Sequence, residues 1–391
     1  MGFTGAVVIG GYINGLGLIR SLAAQRVPTA VIATQPYDIA QHSRHVCASE
    51  MAGGGSRNSR SVIDILTRRA GQWGGWALFP STDDALLAIA DHWDQLAADY
   101  TIIAPPAEVV RTILDKSAMR RMAEAVGIPQ PRRFGNADFT SRSDGIRYPV
   151  LIKPIVSHRF FSRFGRKLFV AHGAEELNDC IARVQAAGVG CELVEWIPGG
   201  DDQIYAHCVY VDRHGEPRGG VTVHKIRQSP PGFGVARVAE AVKDLPQLRE
   251  MTLALVKKIG FRGMAAAEFK YDQRDGTFRF IELNGRSVIY NSLLRRAGLD
   301  LARLAWADHM EQRCDKGGFN GWSGVWVNLH ADLFYSALRR REHRVGWGDF
   351  IAPYTRPIID AAWELADPRP FLVQWSRTAH EGLLGRGLAS R

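Results

Sequence analysis

Two short segments in the second half of the chain carry side chains that could bind a metal ion. The segments 267–271 and 278–284 are rich in aromatic and apolar residues and are separated by turn-forming residues, so they predict two antiparallel strands. Residues two apart in a strand point to the same face, so Glu282 and Asn284 project together, and the neighbouring strand would bring Glu268 opposite them. Two carboxylates and an amide oxygen suit a hard cation such as Mg²⁺. A sheet with a solvent-facing polar surface gives the same pattern, so the residues upstream must decide between the two.

Charged side chains at specific positions upstream favour a nucleotide site. Lys116 lies at the start of a predicted helix that Asp115 can cap. Lys153 ends the apolar strand predicted at 148–154, where a charge needs a partner. An acidic segment, 192–202, follows. ATP carries about four negative charges near neutral pH, so lysines at two such places suit its phosphates.

The order and spacing of these elements resemble the ATP-grasp superfamily. The likeness covers roughly residues 1–305 and is closest to the carboxylate–amine ligase-like members, the group that includes D-aspartate ligase-type enzymes. The resemblance implies that Lys116 and Lys153 contact the phosphates of ATP. It also implies a hinge that binds the adenine and ribose, formed by Glu195, Trp196, Ile197 and Asp202. The sequence Gly-Gly-Asp-Asp in this hinge leaves open whether Asp201 or Asp202 meets the ribose.

The resemblance also assigns a metal site and a reaction. Glu268, Glu282 and Asn284 match the family's ligands for one or two Mg²⁺ (or Mn²⁺) ions, which bridge the β- and γ-phosphates. In the family's mechanism the γ-phosphate passes to a substrate carboxylate, and an amine then attacks the acylphosphate. No protein nucleophile is needed, which agrees with the absence of a Gly-x-Ser-x-Gly sequence. The implied function is an ATP- and Mg²⁺-dependent ligase that couples a small-molecule carboxylate to an amine and releases ADP and phosphate.

Three basic residues are candidates for contacting the substrate and the transferring phosphate. Arg286 lies two residues past the last proposed metal ligand and could reach either group with a bidentate fork. Lys225 and Arg227 precede a glycine-containing loop, 228–234, which suits an anionic intermediate, although a charged strand edge gives the same sequence. The basic and aromatic segment 157–167 occupies the place of the family's phosphate-covering lid. Its contacts cannot be carried over, because it is not rich in Gly and Ser.

The pattern of elements divides the chain into three parts. Residues 1–105 alternate apolar strands with helices, which predicts a parallel α/β domain that ends near two consecutive prolines. Residues 106–305 predict a two-lobed α+β ATP-grasp module with a lid-bearing small lobe at about 130–200. Residues 306–391 are expected to form a C-terminal extension that packs back against this module.

Composition limits the other classes of function. The chain has 391 residues, of which 46% are hydrophobic and 23% charged, as is ordinary for a globular protein of two or three domains. The net charge of +9 suits anionic substrates, but the basic residues match no nucleic-acid-binding module, so no nucleic acid partner is expected. Five scattered cysteines favour reduced thiols and a cytoplasmic location. The chain shows no signal-peptide pattern and no run of about 18 apolar residues, so no membrane contact is expected.

Three other interpretations have to be weighed. A dinucleotide-dependent oxidoreductase fits poorly, because the glycines of 10–17 do not follow Gly-x-Gly-x-x-Gly and no acid ends the second strand. An ATP-grasp enzyme that activates bicarbonate would share the same ATP site, although such enzymes usually carry further domains. The three apparent metal ligands argue against a non-catalytic ATP-binding regulatory protein. The resemblance is also compatible with a homodimer, since dimers are common among such ligases.

Overall fold

The computed structural model describes most of the chain and leaves out several short segments. The described residues are 4–53, 59–134, 145–155, 160, 163–230, 232–312, 316–338 and 346–383. Within these ranges the strands form three sheets, one in the N-terminal domain and one in each lobe expected from the sequence. The segment 157–167, expected to form a lid, falls partly outside the described residues.

The N-terminal sheet is parallel, as the sequence predicts. Its strands are β1 (Ala6–Ile9), β2 (Thr29–Ala33), β3 (Val46–Met51), β4 (Ala77–Pro80) and β5 (Thr101–Ile102). They lie in the order β3-β2-β1-β4-β5 and are parallel throughout. The strands β1, β2 and β4 are buried along their whole length, as expected where helices cover a parallel sheet. The helices of this domain are α1 (Ile13–Ala24), α2 (Ser59–Trp73), α3 (Asp83–Asp91) and α4 (Trp93–Ala97).

The first helix begins earlier than the sequence indicates. α1 starts at Ile13, so much of the glycine-rich turn expected there is helical. A Cβ atom at Gly15 would clash with the carbonyl oxygen of Gly10, so only glycine lets the helix approach the end of β1 this closely. This approach holds Asn14 against the sheet, where its Nδ2 donates to the carbonyl oxygen of Ser81 at 3.1 Å.

A small lobe follows the N-terminal domain. Two helices, α5 (Ala107–Leu114) and α6 (Lys116–Ala125), precede it and pack in the core of the large lobe. The small lobe contains β6 (Val150–Pro154), β7 (Phe169–Ala171), α7 (Ala174–Ala186) and β8 (Cys191–Glu195). The strands are antiparallel in the order β7-β6-β8. Helix α6 begins where the sequence predicts, because the Asp115 carboxylate accepts hydrogen bonds from the backbone N–H groups of Ser117 and Ala118 at 2.8 and 3.0 Å. The cap fixes Lys116 at the first position of α6, beside the end of β6.

The large lobe is built on an eight-stranded sheet. Its strands are β9 (Ile204–Val211), β10 (Pro217–Ser229), β11 (Val235–Val242), β12 (Gly263–Asp272), β13 (Thr277–Asn284), β14 (Gly317–Gly318), β15 (Val325–Val327) and β16 (Ile358–Asp360). Seven of them lie in the order β13-β12-β9-β10-β11-β15-β16, and β14 pairs with β10. Helix α8 (Pro246–Lys258) packs against β9 and β10. The predicted antiparallel pairing of β12 with β13 is confirmed, and Glu268 lies opposite Glu282.

The C-terminal extension is continuous with this sheet. The strands β14, β15 and β16 all belong to it, a contribution that no pattern in the sequence predicts. The helices after β13 are α9 (Asn291–Arg296), α10 (Leu301–His309), α11 (Leu329–Asp332), α12 (Trp347–Ile351) and α13 (Arg369–Leu383), and a π-helical turn spans Leu333–Leu338. Helix α13 contacts the short 3₁₀ helix Ala40–His42 of the N-terminal domain. No helix in the described ranges has the length and apolar character needed to cross a membrane. The domain boundaries near residues 105 and 305 stay predictions.

A buried polar cluster attaches the extension to the N-terminal domain. Asp367 is fully buried, and its carboxylate accepts hydrogen bonds from Arg20 Nε at 3.1 Å, Ser43 Oγ at 2.7 Å and the backbone N–H of Arg44 at 2.9 Å. Arg20 is 6% exposed and also lies 3.2 Å from a carboxylate oxygen of Glu364. The cluster therefore neutralises a buried guanidinium of α1 with acids from the far end of the chain.

Removing the buried acid should destabilise the protein. We expect Asp367→Ala to lower the free energy of unfolding by about 3 kcal/mol, the lower end of the range for breaking a buried pair, because Glu364 still neutralises part of the Arg20 charge. The matched control is Asp91→Ala, whose exposed pair with Arg111 should contribute at most about 1 kcal/mol. The measurement is the urea unfolding midpoint of both variants. Equal midpoints would contradict a role for the cluster in holding the extension.

Candidate active site

One cavity of about 1020 Å³ lies where the three parts of the chain meet. The N-terminal domain contributes Tyr12, Asp38 and Asp83 to its wall, and the C-terminal extension contributes Asn328, His330 and Tyr335. Seven of the residues predicted from the sequence also line it, namely Lys116, Lys153, Lys225, Glu268, Glu282, Asn284 and Arg286. The structure therefore brings most of the predicted site residues into one cavity.

Two carboxylates face each other on the floor of this cavity. Glu268 and Glu282 are direct partners across β12 and β13, and Asn284 Nδ2 lies 3.4 Å from Glu282 Oε1. Burial raises the pKa of the Glu268 carboxyl, and the negative charge of Glu282 acts in the same direction. Lys225 opposes both effects, because its Nζ donates to Glu268 Oε2 at 2.7 Å. Adjacent carboxylates that repel each other are stabilised by a cation between them.

The donor set fits Mg²⁺ better than a transition metal. No group of three or more His, Cys, Asp or Glu side chains in the described part of the chain is arranged to hold a metal. The set Glu268, Glu282 and Asn284 has two carboxylates and one amide oxygen. Mg²⁺ is usually bound through one or two carboxylates together with substrate phosphates. These residues are therefore suited to a cation that arrives with a nucleotide.

Two predicted lysines lie close together near these carboxylates. Lys116 Nζ donates to the carbonyl oxygen of Pro154 at 3.1 Å, next to Lys153 on β6. Burial lowers the pKa of Lys153 to about 8, and the positive charge of Lys116 lowers it further, whereas Glu282 opposes the shift. Burial also lowers the pKa of Lys116, and the negative charge of Glu282 again opposes the shift. Two ammonium groups with depressed pKa values lie close together here, so an anion that binds beside them would be stabilised.

A third lysine, Lys167, joins the group and was not singled out from the sequence. Its Nζ donates to the carbonyl oxygen of Phe233 at 3.2 Å, and it lines the same cavity. Burial lowers its pKa, while Glu282 opposes this effect and Lys225 adds to it. The sequence placed it only at the end of a basic segment, because nothing in its spacing distinguishes it from its neighbours.

Arg286 is held by the N-terminal domain. Its Nε donates to Asp83 Oδ1 at 2.7 Å, and its Nη2 donates to Asp83 Oδ2 at 3.2 Å. Asp83 is the first residue of α3 and is 203 positions away in sequence, so no local pattern could have identified it. The bidentate pair aims the guanidinium across the boundary between the N-terminal domain and the large lobe.

The structure places Arg227 outside this group. Its guanidinium donates from Nε and Nη2 to the two oxygens of Asp332 at 2.9 and 2.6 Å, and from Nη1 to the carbonyl oxygen of Asp349 at 2.7 Å. Arg227 is buried and is not among the residues that line the cavity. Residues two apart in a regular strand share a face, so the separation follows from the irregular pairing of β10 with β11, whose register shifts on both sides of Arg227. We therefore leave Arg227 out of the proposed active site.

The predicted adenine hinge also lies outside the lining of the cavity. Glu195 accepts hydrogen bonds from Arg274 Nη2 at 2.6 Å and from the backbone N–H of Arg132 at 2.9 Å. The ring of Trp196 meets that of Phe233 edge-on at 5.6 Å between centroids, and Ile197 is buried. Adenine contacts for Glu195, Trp196 and Ile197 stay predictions.

The two neighbouring acids of the hinge have different surroundings. Asp201 accepts hydrogen bonds from the backbone N–H groups of Gln228 and Gly232 at 2.7 and 2.6 Å, so it fastens the loop between β10 and β11. Asp202 is exposed, and its carbonyl oxygen lies 2.8 Å from His224 Nε2. The geometry therefore favours Asp202 over Asp201 as the predicted ribose contact.

Comparison with curated sequences finds relatives that match this chain over only part of their length. The chain is 28% identical to a D-aspartate ligase from Enterococcus faecium (strain Aus0004) over 172 residues, which cover 42% of this chain and 40% of that protein. It is 25% identical to the mitochondrial methylcrotonoyl-CoA carboxylase subunit alpha of Oryza sativa subsp. japonica over 254 residues, or 59% of this chain and 32% of that protein. The chain thus spans less than half the length of these curated relatives. No family model matches it.

Comparison with solved structures finds the same fold in several enzymes. A biotin carboxylase–β,γ-ATP complex from Campylobacter jejuni has a TM-score of 0.64 at 18% identity and covers 82% of this chain and 74% of its own. An ADP complex of N5-carboxyaminoimidazole ribonucleotide synthetase has a TM-score of 0.65 at 14% identity, with 88% and 86% covered. An L-amino acid ligase from Bacillus licheniformis has a TM-score of 0.60 at 14% identity, with 79% and 75% covered.

These proteins are all members of one superfamily. The sequence similarity to a D-aspartate ligase and the fold shared with these enzymes confirm the resemblance to the ATP-grasp superfamily that was read from the motifs. At these identities the solved structures define the fold and leave the reaction open.

The charges around Lys153 predict that two substitutions will shift its pKa in opposite directions. Lys116→Met removes a neighbouring positive charge, so the pKa of Lys153 should rise above about 8. Glu282→Gln removes a negative charge that favours the ammonium form, so the pKa should fall. The measurement is the rate at which acetic anhydride modifies Lys153 as a function of pH, followed by mass spectrometry. Glu250→Gln, an exposed change on α8, is the control that should leave the midpoint in place. Shifts of the same sign in the first two variants would contradict the assigned geometry.

Proposed function

We propose that the protein is an ATP- and Mg²⁺-dependent ligase that activates a substrate carboxylate as an acylphosphate and couples it to an amine. The observation that carries this proposal is the convergence of four lysines, two facing carboxylates and Arg286 on one cavity of an ATP-grasp fold. The similarity to a D-aspartate ligase and the fold shared with an L-amino acid ligase support the choice of carboxylate and amine substrates.

Each group in the cavity then has a part in binding ATP. Lys116, Lys153 and Lys167 would neutralise the phosphates, whose negative charge would also raise the depressed pKa values of these lysines. Glu268 and Glu282, with Asn284, would hold Mg²⁺, which neutralises charge that develops during phosphoryl transfer. The proposed sites for adenine and ribose are Glu195, Trp196, Ile197 and Asp202.

The reaction needs two steps and no protein nucleophile. A carboxylate oxygen of the first substrate attacks the γ-phosphorus, and the bond to the ADP oxygen breaks. The amine then attacks the acylphosphate carbon, phosphate leaves with its bonding electrons, and the amine loses a proton. Arg286 would orient the carboxylate, because Asp83 fixes its guanidinium beside the metal carboxylates. Lys225 would stabilise the charge on the oxygens of the transferring group.

A second candidate function is the activation of bicarbonate. The fold shared with a biotin carboxylase and with N5-carboxyaminoimidazole ribonucleotide synthetase favours it, since bicarbonate is also a carboxylate-like acceptor of phosphate. The two candidates share the nucleotide site and differ only in the acceptor. A homodimer and a cytoplasmic location stay predictions under either one.

Glu282→Gln tests the metal site. We expect it to fold but to lose at least about 100-fold in the rate of ADP release, because one negative charge that holds Mg²⁺ is removed. Calorimetry of ATP binding with and without Mg²⁺ should show that the Mg²⁺-dependent part of the affinity is lost. The exposed variant Glu250→Gln should behave as wild type in both assays. Near-normal turnover of Glu282→Gln would refute the metal assignment, and a wild type that does not bind ATP would refute the ligase.

A trapping experiment separates the two candidate acceptors. Hydroxylamine replaces the amine and converts an acylphosphate into a stable hydroxamate. We expect ADP release and hydroxamate formation with at least one member of a panel of D- and L-amino acids and simple dicarboxylic acids, and no stimulation by bicarbonate alone. Release of ADP that depends on bicarbonate and yields no hydroxamate with any member of the panel would favour the second candidate.

A further inference from the structure

A buried pair of arginines lies at one end of the cavity, the end that the C-terminal extension lines. Arg237 on β11 lines the cavity and is 1% exposed, and Arg227 on β10 lies next to it and is 6% exposed. Their shared acid is Asp332, which is fully buried at the end of α11. Two guanidinium charges therefore meet one carboxylate, which leaves an excess positive charge in a buried place.

The carboxylate of Asp332 is already saturated by other donors. Arg227 binds both of its oxygens, at 2.9 and 2.6 Å. Tyr354 Oη donates to Oδ2 at 2.6 Å, and Ser336 Oγ donates to Oδ1 at 3.3 Å. Arg237 Nε lies 3.1 Å from Oδ1, within ion-pair distance, but its N–H is not directed at that oxygen. Asp332 therefore neutralises mainly the charge of Arg227.

Arg237 keeps hydrogen-bonding capacity that the protein does not use. Within the described part of the chain, its buried Nε and Nη1 atoms have no hydrogen-bond partner. The other nearby acid, Asp201, already accepts hydrogen bonds from Gln228 and Gly232. Burial lowers the pKa of Arg237, and the charge of Arg227 adds to this, whereas Asp332 opposes it. A buried donor without a partner is destabilising by about 1 to 3 kcal/mol, so each such group needs an explanation, and a bound anion is one.

The surroundings of Arg237 suit an organic anion. The ring of Tyr335 lies 5.8 Å from the Arg237 guanidinium carbon, and Asn328 and His330 line the cavity beside it. Tyr335 belongs to the π-helical turn Leu333–Leu338, a rare conformation that is common at functional sites. A guanidinium fork matches the planar geometry of a carboxylate, which accepts two parallel hydrogen bonds.

We propose that Arg237 binds a substrate carboxylate group that takes no part in the reaction. This carboxylate would lie at the end of the cavity that the C-terminal extension lines. The reacting carboxylate has to lie beside Glu268 and Glu282, where the γ-phosphate would be, whereas Arg237 has Asp332, Arg227 and Asp201 as its charged neighbours. One of the two substrates therefore keeps a free carboxylate, as an amino acid or a dicarboxylic acid does. That the bound anion is a substrate rests on the proposed ligase function, whereas the existence of an anion site at Arg237 does not.

The test uses acetate as the probe, because it carries the carboxylate and almost nothing else. Thermal unfolding of the full chain without nucleotide is followed in increasing potassium acetate, with potassium chloride keeping the ionic strength constant. We expect acetate to stabilise the wild type in a saturable way, and Arg237→Met to weaken the apparent affinity by about tenfold or more. Arg237→Met leaves the Arg227–Asp332 pair balanced, so it should fold. Arg237→Lys keeps the charge but not the fork, and it should retain part of the response.

The matched control is Arg218→Met. Arg218 lies on the neighbouring strand β10 and pairs with Asp212, but it is 45% exposed and does not line the cavity. This variant should respond to acetate as the wild type does. A parallel titration with inorganic phosphate distinguishes the two kinds of anion.

Each outcome decides the proposal. Loss of the acetate response in Arg237→Met but not in Arg218→Met supports a carboxylate site. An equal response in all variants, or no response in the wild type, would overturn it, and a response to phosphate alone would replace it with a phosphate site. Binding of ATP with Mg²⁺ to Arg237→Met should stay within about twofold of wild type, since nothing near the metal carboxylates changes. A failure of ATP binding in the wild type would refute the ligase and leave the acetate result standing.

Discussion

The register between β12 and β13 is the constraint on which the candidate site depends. It sets Glu268 opposite Glu282, and the pairing of β12 with β9 fixes it from the other side. The opposite faces of these strands carry Phe269 and Phe280, which are buried in the core of the large lobe. A slip by one residue would exchange the aromatic and acidic faces, so burial of the aromatic side chains selects the register that aims the acids at the cavity.

A local irregularity refines this geometry. Glu268 pairs with Glu282 and Phe269 pairs with Phe280, so Ile281 is an extra residue on β13 and forms a bulge. Bulges bend a strand and redirect the side chains beside it, and they are frequent next to active sites. Ile281 itself lines the cavity, next to Glu282. The bulge thus lets one strand contribute to a buried core and to a polar floor within three residues.

The charges in the cavity explain why its lysines have unusual pKa values. Lys116, Lys153 and Lys167 all have pKa values lowered by burial, and in each case Glu282 partly offsets the effect. Lys225 is already paired with Glu268. The phosphates of a nucleotide would supply the missing negative charge, and a divalent cation would relieve the repulsion between the carboxylates. The charges that line the cavity are of the kind that a metal–nucleotide complex would balance.

Local patterns in the sequence predicted the elements that carry the nucleotide chemistry, and long-range contacts account for what they missed. Strands β1, β2 and β9 are largely apolar runs, the kind of segment that a local pattern identifies. Strand β3 was missed because it alternates between half-buried and exposed residues at the edge of its sheet, and β11 because alanines dilute its apolar signal. The partner of Arg286 lies 203 positions away, and the Arg227–Asp332 pair spans 105 positions. No spacing rule reaches across such distances.

The two ends of the cavity have different origins in the chain. The proposed phosphate and metal ligands come from the small and large lobes, whereas Asn328, His330 and Tyr335 come from the C-terminal extension. The extension also supplies the last strands of the large sheet and is anchored to α1 through Asp367, so its position is fixed by both neighbouring parts. A fold shared with carboxylases and with amino acid ligases can therefore preserve the nucleotide end while the other end varies. Under the proposed function, substrate identity would depend on the residues that the extension brings to the cavity, because a fold shared in the two lobes does not determine it.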